Sequence, residues 1–219
     1  MTTSAMPAAL PGPSRWPTWL GLLLALGLVS LPFSLWIDEF ANVRHLVANE
    51  AIWWLYITGM LVYVLRVERR PLSSIGFRRL GARDIAIGIG AGIAILAALA
   101  CVYYLIFPLL HWDLSQGMNR LAATPLWWRL ISTVRAAVSE ELLFRGYAME
   151  RLRELSGSRG IAAGVSCAVF TLDHVPTWGW QHLAIAGIGG IALTVLYLWR
   201  RNLWVNILAH FIVDAASML

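Results

Sequence analysis

From Ile85 to Leu110 the chain carries no charged residue. A run that long and apolar matches the roughly 20 residues that a helix needs to cross a hydrocarbon layer about 30 Å thick. It belongs to a segment reaching from Asp84 to Leu110. Comparable segments, bounded by arginine, proline or polar clusters, lie at Thr18–Trp36, Ala51–Val67, Leu126–Leu155, Arg159–Pro176, Gln181–Trp199 and Leu203–Leu219. The expected fold is therefore all-α, a polytopic membrane bundle of about seven transmembrane helices. Composition agrees, with 59% hydrophobic and 13% charged residues and a mean hydropathy of +0.67, too apolar for a soluble domain.

The net charge of +5 does not point to nucleic acid. The 17 basic residues are all arginine, placed in short clusters between apolar runs rather than along one face or tail, which is the pattern of a topology signal. The lack of lysine excludes Schiff-base chemistry and a Ser-Lys dyad. Arg66, Arg69, Arg70, Arg78, Arg79 and Arg83 mark a cytoplasmic loop. Counting crossings from there puts Arg151, Arg153, Arg159, Arg200 and Arg201 on the same side. It leaves the stretches around Asp113 and Trp178 outside, with the N-terminus cytoplasmic and the C-terminus outside. Residues 1–17 read as a flexible tail before a retained first helix, since no small-residue cleavage site follows it.

Cys101 and Cys167 lie inside apolar runs, without disulfide or metal-knuckle spacing, and read as small core residues. Gly88, Gly90 and Gly92, and Gly187, Gly189 and Gly190, permit close helix approach. Trp127, Trp128, Trp178, Trp180 and Trp204 fall near segment ends, where such rings anchor at the interface. Ile37–Glu50 and His111–Pro125 read as loops long enough to touch a substrate.

Ionisable groups at bilayer depth need a reason, because each costs on the order of 2.5–3.5 kcal/mol even on lenient scales. Three segments hold them: Glu140-Glu141 with Arg145, then Asp173-His174, then Asn206 with His210 and Asp214. Glu141 and Arg145 are four apart and share a helix face, so the arginine offsets the burial of one carboxylate. Taken alone, such a pair also fits a purely structural ion pair. Glu140 points about 100° away, free to act as a general base. Asn206, His210 and Asp214 recur at four-residue steps and form one polar stripe. With His174 they offer groups able to activate water and stabilise an oxyanion.

In these motifs the sequence resembles the CAAX endopeptidase and bacteriocin-processing family, glutamic-type intramembrane proteases related to the CAAX prenyl endopeptidases. Glu140-Glu141-x-x-x-Arg145, Phe170-x-x-x-His174 and His210-x-x-x-Asp214 stand in the family's order. The resemblance implies that residues 125–219 are a four-helix catalytic core, with N-terminal transmembrane helices and loops over 18–124. It implies that Glu140 and His174 activate water and that His210 and position 214 stabilise the oxyanion. Glu141, Arg145 and Asn206 support them. It further implies a membrane-associated protein or peptide substrate, no cofactor, and a bacterial cytoplasmic (inner) membrane location. Asp214 stands where the better-understood enzymes have Asn, and an ionised Asp only accepts hydrogen bonds.

Three alternatives remain open on the sequence. Ser139 is a nucleophile on paper, yet it points about 100° from Glu140. Glu140, His174 and His210 could ligate a catalytic zinc. The chain could also be a non-catalytic scaffold or a bacteriocin immunity protein.

Overall fold

The computed structural model describes residues 15–28, 30 and 42–218. Most of the tail (1–14), the end of the first apolar run (31–36) and residues 37–41 lie outside the described residues. All regular structure among the described residues is helical. Helix α1 covers Trp16–Leu22 and runs into a π-helical stretch, Leu23–Leu28. Helix α2 covers Val43–Val62 and widens to a π-turn over Tyr63–Val67. Helix α3 is Ala82–Cys101, extended by Val102–Leu109, and α4 is a short amphipathic helix, Ser115–Ala122. Helix α5 (Leu126–Glu140) passes through a π-helical stretch, Glu141–Ala148, into α6 (Met149–Ser156). Helices α7 (Arg159–Asp173), α8 (Leu183–Arg200) and α9 (Leu203–Met218) complete the bundle.

Local chemistry sets several boundaries. Asn42 caps α2 by accepting from the His45 amide at 3.1 Å, so the helix begins before Ala51, inside what the sequence suggests is a loop. Asp84 accepts from the Gly81 amide at the start of α3, and Ser158 caps α7 through the Ile161 amide. Gly157, at φ 69°, supplies the left-handed residue that lets α6 stop and α7 start two residues later.

By length and composition, Val43–Val67, Ala82–Leu109 and Trp180–Arg200 are able to cross a membrane, while Trp16–Gly27 and Leu203–Ala216 are shorter apolar helices. The described residues are thus all-α, with three helices long and apolar enough to span a membrane, as a membrane protein requires. The remaining segments of the sequence-based count are either short, as α7 is, or interrupted by charge, as α5 and α6 are. The exposed faces fit a lipid solvent: Leu55, Tyr104 and Leu109 are all more than two-thirds exposed, a pattern that water would penalise.

Two sequence expectations need correction. Cys101 is exposed rather than in the core, because it sits on the outward side of α3, where hydrocarbon accepts a thiol as readily as the interior does. Trp128 is buried, packed with Leu46 and Leu121, because α4 folds over the end of α5 and covers it. The glycine expectation holds in part. A Cβ on Gly88 or Gly92 would meet the α9 backbone at 3.1 and 2.9 Å, whereas Gly90 has open space.

The arginine clusters converge at one end. Arg151 pairs with Glu68 at 2.6 Å, Arg70 with Glu154 at 2.5 Å, Arg200 with Asp84 at 2.6 Å and Arg201 with Glu150 at 2.7 Å. These pairs tie the ends of α2, α3, α6 and α8. Arg201 adopts φ 48° in the tight α8–α9 link, and the Leu203 amide donates to Gly76 O at 2.8 Å.

Candidate active site

The site grows from the junction of α5 with its π-helical continuation. Leu142, Leu143, Phe144, Tyr147 and Ala148 are all buried, so this stretch is apolar around its whole circumference and lies in the middle of the main core. π-Helical turns recur at functional sites. Here the turn begins at Glu141 and carries both a carboxylate and a guanidinium into the interior.

Glu141 is the hub. Its Oε1 accepts from Arg145 Nη1 at 2.9 Å and from His210 Nδ1 at 2.9 Å, and its Oε2 accepts from Asn206 Nδ2 at 3.0 Å. Glu141, Arg145 and Asn206 have no solvent exposure. A bare charge at that depth costs several kcal/mol, and here every partner is itself anchored. Arg145 Nη2 donates to Gly190 O at 3.1 Å, and its guanidinium lies 4.1 Å over the Phe170 ring. Asn206 also donates to Leu193 O at 2.8 Å. One buried network therefore joins the π-helical stretch, α7, α8 and α9.

Glu140, one residue earlier, faces a different space. Its Oε2 lies 3.7 Å from His210 Nε2 and 4.0 Å from His174 Nε2. That oxygen is buried, and among the described residues nothing hydrogen-bonds to it. Buried carboxylate oxygens are seldom left so. His174 caps the end of α7, and its Nδ1 lies 2.8 Å from Phe170 O. A carbonyl only accepts, so Nδ1 carries a proton, and Nε2 is the ring nitrogen turned toward Glu140. His210 Nδ1 donates to Glu141, and its Nε2 faces the Glu140 carboxylate and Asp214 Oδ2 at 3.5 Å, so both ring nitrogens meet carboxylates, the setting of an imidazolium with an N–H on each.

The structure thus brings all seven sequence-selected residues together in two layers. Glu141, Arg145 and Asn206 form a sealed layer. Glu140, His174, His210 and Asp214 form an adjoining layer in which Glu140 and His174 are about one-fifth exposed. Ser139 is fully buried and donates to Ala136 O at 3.3 Å, a helix-backbone bond that keeps its hydroxyl off the site. The layer lies in the arginine-poor half of the bundle. His174 is about 22 Å along α7 from Arg159, at 1.5 Å per residue.

Sequence reasoning missed His182. Its ring stacks on His174 at 5.5 Å between centroids and 11° between planes, and also on Trp178 at 5.4 Å. Phe170 flanks His174 from another direction at 4.7 Å. The backbone acceptors Gly190 O and Leu193 O were equally invisible. His182 stands outside any motif, and its helical start next to Trp180 is the one signal that it lies at the His174 end. Among the described residues no group of three or more His, Cys, Asp or Glu is arranged to hold a metal ion.

Residues 122–216 match the family model described as type II CAAX prenyl endopeptidase, Rce1-like. That family is one of peptidases. No curated protein matches the chain, and no solved structure does.

Proposed function

We propose that this chain, whose residues 122–216 belong to the Rce1-like type II CAAX prenyl endopeptidases, is an intramembrane endopeptidase of the glutamic type. The observation that carries the proposal is the buried Glu140 Oε2, without a hydrogen-bond partner among the described residues and 4.0 Å from His174 Nε2. That gap is too long for a direct hydrogen bond. A water about 2.8 Å from each atom spans it at an angle of about 90°, donating one proton to the carboxylate and one to the imidazole.

Glu140 takes a proton from that water as the oxygen attacks the scissile carbonyl carbon. The C–O bond forms and the carbonyl π electrons move to oxygen. The oxyanion accepts from Nε2–H of His210 in its imidazolium form, with position 214 beside it, and Glu141 holds the ring by accepting from Nδ1–H. Collapse breaks the C–N bond, and the proton held by Glu140 passes to the leaving amine. Base catalysis of this kind contributes about 10²–10⁴-fold, and an oxyanion donor about 10²–10³-fold. No cofactor takes part.

The substrate in this reading is a membrane-associated protein or peptide met within the bilayer, with no nucleic acid involved. The membrane is the bacterial inner membrane, the arginine-rich end and the N-terminus are cytoplasmic, and the chain crosses about seven times by hydropathy. The reactive layer then lies toward the outer face, which suits trimming of secreted or membrane-anchored proteins. Residues 125–219 act as the catalytic core and 18–124 as the surrounding helices.

The zinc alternative uses Glu140, His174 and His210. Ligands about 2.0–2.1 Å from a tetrahedral zinc stand roughly 3.3 Å from one another, whereas the separations from Glu140 here are 3.7 and 4.0 Å. Purified protein reconstituted with membrane proteins of its host decides between the two. Cleavage that persists under 1,10-phenanthroline and is lost in Glu140→Gln supports the glutamic reading. Cleavage abolished by the chelator and restored by zinc overturns it.

A further inference from the structure

Away from the site, α5 and α9 border an open apolar groove of about 320 Å³. Leu80 stands at its mouth, Val134 and Ala137 form one wall, and Trp204, Ile207 and Phe211 form the other. Because α9 starts at the arginine-rich end, the groove runs inward from that end for roughly 10 Å, the rise from Trp204 to Phe211. Its far end, at Phe211, is one residue along α9 from His210.

The mouth is rigidly built. The Leu203 amide donates to Gly76 O, Asn202 Nδ2 donates to Arg79 O at 3.1 Å, Phe77 meets Trp204 edge-on at 5.1 Å, and Asp84 holds Arg200. These contacts fix residues 76–84 against the start of α9. Arg79 and Arg83 are exposed there. Arg70, Arg151, Arg153, Arg200 and Arg201 at the same end have carboxylate partners, whereas Arg79 and Arg83 pair with no acidic side chain among the described residues.

We infer that this groove is a binding site for one anionic phospholipid, its acyl chain along Val134, Ile207 and Phe211 and its phosphate on Arg79 and Arg83. The charge complementarity selects the occupant: an apolar slot alone takes any chain, but two exposed arginines, flanking Leu80 in the segment held against the start of α9 and without carboxylate partners among the described residues, favour a net-negative headgroup. A basic residue near a membrane surface is worth about a fivefold preference for anionic lipid. The site does not depend on the proteolytic reading, and occupancy would brace the two helices that carry Glu140 and His210.

The test reconstitutes the full chain into vesicles of equal phosphatidylglycerol and phosphatidylcholine with identical acyl chains, extracts it in mild detergent and weighs the retained lipid by native mass spectrometry. The native chain should retain phosphatidylglycerol over phosphatidylcholine by about fivefold or more. R79Q/R83Q should bring that ratio near one, and Val134→Trp, at an exposed wall position, should remove both lipids. R66Q/R69Q, in the same loop but away from the groove, should leave the ratio high. A native ratio near one, or an equal fall in R66Q/R69Q, overturns the site. A dimer that Val134→Trp makes monomeric, with no lipid preference, would mean that a second copy covers the groove and equally overturns it.

Discussion

His210 donates from Nδ1 to Glu141 Oε1 across 2.9 Å, and through this bond the last helix is locked to the π-helical stretch that follows Glu140. The carboxylate is shared with Arg145 and Asn206, so removing it strands three donors at once. Glu141→Ala should destabilise the folded protein by about 3–5 kcal/mol, the usual cost of breaking a buried ion pair from one side. Glu140→Gln keeps its shape at a position whose Oε2 makes no hydrogen bond among the described residues, and should cost less than about 1 kcal/mol. Thermal unfolding of both variants in detergent checks the contrast. Equal losses would dissolve the division between a sealed layer and a reactive one.

Position 214 discriminates between two roles. Asp214 Oδ2 lies 3.5 Å from His210 Nε2, a placement that suits orienting the imidazole and also lies beside the oxyanion. Asp214→Asn adds a donor at the same place and should hold the cleavage rate within about tenfold, whereas Asp214→Ala should lower it by about 10²-fold. Rates on one reconstituted substrate measure this, and an inert Asp214→Ala would remove the residue from the mechanism.

Ser139 takes no part in the proposed mechanism. Its hydroxyl is spent on Ala136 O in the buried side of α5. Ser139→Ala should keep its cleavage rate within about twofold, and serine-directed inhibitors should leave no adduct on the protein. An adduct at Ser139 by peptide mass mapping would contradict this.

Gly190 tests whether packing positions His174. A Cβ there would meet Phe170 at 3.0 Å, and that ring lies between Arg145 and His174. Gly190→Val should overpack the site by about 1–3 kcal/mol and lower kcat more than it raises KM, because the substrate is still bound while His174 is displaced. Steady-state kinetics of Gly190→Val separate the two effects.

The polar residues on the helices were legible because charge in an apolar run is costly and leaves few innocent explanations. The four-residue steps of Asn206, His210 and Asp214, and of Glu141 and Arg145, carried directly into shared faces. The close fit of α3 on α9 was readable from Gly88 and Gly92. The rest depended on long-range placement. His182 reaches His174 only because the chain reverses between α7 and α8. Gly190 O and Leu193 O are backbone acceptors with no residue signature. The helix Ser115–Ala122 reads as a loop because its mean hydropathy is low and its eight residues are too few for periodicity to stand out. Trp128 is buried for the same reason, under an element that the hydropathy pattern does not reveal.

The central claim is that Glu140 activates water for peptide hydrolysis. Its most direct test compares the new N- and C-termini of membrane and secreted proteins in a host carrying the native chain with those in a host carrying Glu140→Gln, at matched membrane abundance. The account predicts a defined set of termini that disappears with Glu140→Gln, clustered near outer-face membrane segments. Identical termini in both hosts, with the variant still supporting every phenotype of the native chain, would contradict it and leave a non-catalytic membrane scaffold.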